Sequence, residues 1–240
     1  MNEKNLRKAI MEQRNHQFIY GYNGKIRADI LKRIALKYPI ILSSNKPMGI
    51  YIPNVGLPQI QTINKLDNNI LIKYNQLYCE LQLITSILTT LINQTNGKTT
   101  LNKNYIKSSY QLCTSLNETK NNCYKEYLKY LQTGKVTNFI KTTTSFKINE
   151  FLNDLKQCLN NHSYFGIIID EQRPISIKSQ MIINGFLNYN EVFSLKIACQ
   201  IEQWQTYNQI NGLCNIFDTV EIDNNYEAYT KKLKIVHKEP

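Results

Sequence analysis

No C-x-x-C pair occurs in the sequence: its six cysteines, Cys79, Cys113, Cys123, Cys158, Cys199 and Cys214, are widely spaced. Zinc-ligand spacing is therefore absent, and the cysteines read as reduced, mostly buried thiols. Histidine is as sparse; His16, His162 and His237 stand far apart and suggest neither a metal site nor a relay. No stretch approaches the roughly 20 apolar residues of a membrane span. The N-terminal MNEKNLRKAIMEQRNHQ also lacks the apolar core of a secretory signal. These absences predict a cytoplasmic chain with no membrane partner. The N-x-[ST] sequons at Asn93, Asn117 and Asn161 then follow from an Asn-rich composition.

Acidic residues are in deficit. Eighteen Asp and Glu stand against 29 Lys and Arg, a formal charge of +11 over 240 residues. The basic residues are scattered, with short clusters such as Lys231, Lys232 and Lys234. A field of this sign suits phosphate-bearing partners, nucleotide or nucleic acid. The alternative is that a chain rich in Lys, Asn and Ile reflects AT-rich codons. The length suits one α/β domain with a helical insertion.

Apolar spacing supplies the outline. Residues 2 to 14 read as a charged helix or arm, 16 to 20 as a strand, and Ile30, Leu31, Ile34 and Ala35 as one face of a helix. Tyr38 to Leu42 reads as a second strand, Met48 to Ile52 as a further extended piece, and Pro53, Gly56 and Pro58 as a loop. Leu71 through Leu91 keeps helical spacing, and a second helix spans about 104 to 131, so residues 65 to 133 read as a helical insertion. The tyrosines at 105, 110, 124, 127 and 130 suit a core face better than a stacking surface for single-stranded nucleic acid. A helix over 147 to 159 follows. Strand and helix then alternate: Tyr164 to Ile169, Ile177 to Leu187, Phe193 to Ala198, Thr219 to Ile222, and a closing helix from Tyr226. Apolar runs without alternation indicate strands buried on both faces of a parallel sheet.

Two segments carry chemistry. IIIDE, Ile167 to Glu171, ends a buried strand in two carboxylates, at the sheet edge where open α/β folds bind ligands. GYNGKIRA, Gly21 to Ala28, joins a strand to a helix in the layout of a phosphate-binding loop, yet Ile26, Arg27 and Ala28 stand where Gly, Lys and Ser/Thr are required. Ile26 crowds a backbone that must approach phosphate. Arg27 puts a planar fork in place of a compact ammonium, and Ala28 has no hydroxyl for Mg²⁺. NGKTT, Asn96 to Thr100, has the right tail but follows a helix, so it reads as a helix end. Trp204 reads as a packing anchor.

Taken in order, these elements resemble the ATPase core of AAA-type and related origin-recognition or STAND-like P-loop NTPases, over roughly residues 14 to 60 and 147 to 235. The resemblance implies a three-layer α/β fold with a mainly parallel sheet and the 65 to 133 insertion, all within one domain spanning 1 to 240. It implies that Gly21, Asn23, Gly24, Lys25 and Arg27 form a degenerate Walker A loop holding ATP or ADP. Asp170 and Glu171 become the Walker B pair, Asp170 on Mg²⁺ and Glu171 polarising water, and Cys199 and Gln200 the sensor position. A small helical lid has no place after residue 235. The expected function is nucleotide binding with weakened or absent hydrolysis, in a sensing or assembly subunit with a protein partner or a second copy. The alternative is a non-enzymatic DNA-associated or scaffolding protein that keeps the fold.

Overall fold

A computed structural model describes residues 3–20, 24–40, 45–60, 66–98, 103–144, 146–160, 162–188, 192–200, 203–206, 218–222 and 233–236. Two runs set its centre: Phe165–Asp170 (β3) and Phe193–Cys199 (β4) are buried at every position. Strands covered on both faces belong inside a parallel sheet. They lie side by side in parallel, with Gln17–Tyr20 (β1) parallel to the far side of β4 and Met48–Pro53 (β2) parallel to the far side of β3. Asp218–Ile222 (β5) pairs in parallel with β1, and Leu233–Val236 (β6) pairs antiparallel with β5. The sheet order is β2-β3-β4-β1-β5-β6.

Helices cover both faces. Glu3–Met11 (α1) and Gly24–Leu36 (α2) place Leu6, Ile10, Ile30, Leu31, Ile34 and Ala35 on Ile19, Ile168 and Ala198. The four apolar positions of α2 read from the sequence are all buried there. Its C-terminal end approaches the sheet closely because Gly49 has no side chain: a Cβ at that position would lie 2.5 Å from the Ala35 carbonyl oxygen. The opposite face carries Asn68–Lys98 (α3), Lys103–Thr133 (α4), Asn138–Thr142 (α5), Ile148–Cys158 (α6) and Ile177–Gly185 (α7), the last continued by a 3-10 turn at Phe186–Asn188. Ser176 caps α7 by accepting from the Ser179 N–H.

The α3–α4 pair leaves the sheet between β2 and β3. Each helix has 31 residues, about 46 Å at 1.5 Å per residue. Among its described tyrosines, Tyr74, Tyr127 and Tyr130 belong to the core: the Tyr74 ring lies tilted at 5.7 Å from Tyr130 and 5.9 Å from Tyr127. Tyr110 does not, at 62% exposure. The hairpin shares one apolar cluster with Phe18, Ile167 and Ile197 of the sheet.

Two expectations are corrected. Tyr38–Ile40 is not a strand; the Tyr38 carbonyl accepts from Gly49 N–H at 2.6 Å and the Ile40 N–H donates to Gln94 Oε1 at 2.6 Å, so both are bound outside any ladder. Residues 41 and 42 lie outside the described residues. The closing helix from Tyr226 does not run through 233–236, which form β6; residues 223–232 lie outside the described set. Among the described residues no helix is long and apolar enough to cross a membrane. Four of the five described cysteines are buried and Cys158 is exposed, all as free thiols; Cys214 lies outside the described residues.

Candidate functional site

Asp170 ends β3 on the face that α2 covers, in register with Ala198 and Pro53. Arg27 is the fourth residue of α2, and helical side chains lean toward the N-terminal turn. That lean brings its guanidinium to the strand end, where Arg27 Nε donates to Asp170 Oδ1 at 2.9 Å and Nη2 to the Glu171 carbonyl at 3.1 Å. Both members are buried, with side chains 1% and 0% exposed. The second carboxylate oxygen accepts from Tyr51 Oη at 2.8 Å, and Gln172 Nε2 sits 3.5 Å from it. Burial and the Asp170 charge push the Tyr51 hydroxyl pKa well up, which keeps it a donor.

A divalent cation on Asp170 would have to displace these donors. The cation already present is Arg27, held by charge-assisted hydrogen bonds in a site screened from water. Among the described residues no group of three or more His, Cys, Asp or Glu is placed to hold a metal. With Arg27 on one oxygen of Asp170 and Tyr51 on the other, this carboxylate as it stands does not fit a Mg²⁺ ligand.

Glu171 turns the other way. Its Oε1 accepts from the Gly56 N–H at 2.8 Å, and its Oε2 is buried without a hydrogen-bond partner. Burial pushes its carboxyl up to about 7, against the opposing pull of the Gly56 and Val55 N–H groups. The Cys79 thiol of α3 is pushed up by its own burial and then by the Glu171 charge, which places that carboxyl on the α3 side of the sheet. The loop that holds it is itself fixed. Leu57 N–H donates to Ser179 Oγ at 2.9 Å, and a Cβ on Gly56 would lie 2.6 Å from Ile175 Cδ1. In this arrangement Glu171 is a buried acid, 1% exposed and tied to the Gly56 loop.

The other sequence-derived positions scatter. Gly24 opens α2, half-buried, and Lys25 beside it is exposed. Gly21 and Asn23 lie outside the described residues. Gln200, just past β4, accepts from Gln203 Nε2 at 2.6 Å. Trp204 meets Phe18 edge-on at 6.0 Å, the packing role read from the sequence. Of the set, Arg27 meets the Asp170 carboxylate and the Glu171 carbonyl. Tyr51 and Gly56 were missed: alternation across Met48, Ile50 and Ile52 puts Tyr51 on the opposite face, a usable signal, whereas nothing local marks Gly56.

Comparison with known proteins gives no matching family model, no matching curated protein and no matching solved structure.

Proposed function

We propose that this chain is a P-loop NTPase-like subunit that does not hydrolyse nucleotide and works by assembly, with Arg27 serving as a built-in cation on Asp170. The observation that carries this reading is the buried Arg27–Asp170 pair at 2.9 Å, both members under 2% exposed. Strand order supports it. The strand entering the Gly21 loop and the strand ending at Asp170 are separated by one strand, β4, the order expected of the P-loop NTPases the sequence resembles. Hydrolysis in such proteins needs a metal to neutralise developing charge and a carboxylate to orient water. Here the first carboxylate is bound to an arginine and the second is tied to Gly56. Any ATP or ADP would be held by the N-terminus of α2 and the exposed Lys25, without Mg²⁺.

A second reading, a DNA-associated scaffold with the same fold, is favoured by the +11 charge alone. Turnover by the purified chain with Mg-ATP tests the main proposal. The expected rate is background; steady hydrolysis that Glu171→Gln abolishes would overturn it.

A further inference from the structure

A cavity of about 570 Å³ opens between α3, the start of α6 and the end of α7. Neither Arg27, Tyr51, Asp170 nor Glu171 lines it. Its size falls within the roughly 300–1,000 Å³ of small-molecule sites. Phe146, Ile182 and Phe186 give it apolar walls. Glu80 is the one buried charged side chain among its lining residues. Glu80, 4% exposed, accepts from Gln76 Nε2 at 2.9 Å and from the Phe146 N–H at 2.7 Å, and has no ion-pair partner among the described residues. Asn149 Oδ1, in the same wall, is buried without a hydrogen-bond partner. The wall's cation, Lys147, is 74% exposed and turned to Glu150 at 2.7 Å.

A buried carboxylate served only by neutral donors is an incomplete charge balance. We infer that the cavity binds an organic cation, an ammonium or guanidinium on an apolar stem, with its charge facing Glu80 and its stem against Phe146, Ile182 and Phe186. Burial raises the Glu80 carboxyl pKa, and a cation beside it opposes that shift. The group is carried by a free amine or by a basic side chain of a partner protein. This inference does not rest on the reading of Asp170.

The test is an amide-resolved NMR titration of the full chain with n-hexylammonium, n-hexanol, the blocked tripeptide Gly-Arg-Gly and its citrulline analogue. Binding mapped to Phe146, Asn149 and Ile182, at least tenfold tighter for hexylammonium than for hexanol, supports a free amine. The same ratio for the arginine peptide over its citrulline analogue supports a partner side chain. Glu80→Gln is expected to remove the tenfold preference. Equal affinity for charged and neutral probes of wild type, or no shifts at these amides, overturns the inference without requiring that any variant fold.

Discussion

Replacing Arg27 by Met leaves the stem in place and deletes the charge. Asp170 then remains fully buried with Tyr51 Oη at 2.8 Å as its one short side-chain donor. Removing one member of a buried ion pair costs about 3–5 kcal/mol, because the charge left behind is uncompensated. A chain of this size loses about 2–4 °C in Tm per kcal/mol, so the variant should melt lower by about 6–20 °C. Asp170→Asn alone strands the guanidinium and should cost a similar amount. The double variant, Arg27→Met with Asp170→Asn, strands neither, and Asn still accepts from Tyr51. It should lie within about 2 kcal/mol of wild type, giving a coupling of at least about 4 kcal/mol in the cycle. Urea unfolding followed by far-UV circular dichroism and by the fluorescence of Trp204, the chain's single tryptophan, measures all four proteins. Additive effects, or an Arg27→Met cost below about 1 kcal/mol, would refute the view that Arg27 is the structural cation of Asp170.

Glu171 gives a pH signature. Its carboxyl sits near 7 when folded against 4.5 as reference, so the native state binds more protons between those values and loses stability as pH rises through them. Glu171→Gln keeps an acceptor for Gly56 and should gain up to about 3 kcal/mol on wild type between pH 4.5 and 8; parallel stability profiles would contradict this. His16 has the opposite slope. Burial and the Lys196 charge lower it from 6.5 to about 4, so its contribution is lost as pH falls through that window, and His16→Gln should flatten the acid limb of urea midpoints. Gly49→Ala should destabilise by about 1–3 kcal/mol, since its Cβ would meet the Ala35 carbonyl at 2.5 Å; an unchanged Tm would show that the α2 end can move freely. If the +11 charge serves nucleic acid, binding should weaken steeply with salt, and absence of binding at low salt by fluorescence anisotropy removes the scaffold reading.

The centre of the sheet was legible in Ile167–Ile169, an unbroken apolar run that suits a strand covered on both faces; in FSLKIAC the pattern alternates, and the burial of Ser194 and Lys196 between its apolar residues was not legible. The face of α2 was legible through Ile30, Leu31, Ile34 and Ala35. Tyr38–Leu42 misled because an apolar run fixes burial and not backbone state; Ile40 is buried, but its N–H is bound by Gln94 of α3. Arg27 read locally as an altered phosphate-loop lysine. Its partner is 143 residues away, and no spacing rule connects them. IIIDE announced two carboxylates at a strand end, yet the direction each takes past that end depends on what packs there. Gly56 draws Glu171 one way and Arg27 draws Asp170 the other.

As proposed, Arg27 stands on Asp170 in the place a metal would need. Calorimetric titration of ATP into the purified chain, with and without excess Mg²⁺, tests it directly. Mg²⁺ is expected to leave the result unchanged, because Asp170 is already bound to Arg27 at 2.9 Å. A tenfold or greater gain in ATP affinity on adding Mg²⁺ to the wild-type protein would contradict it.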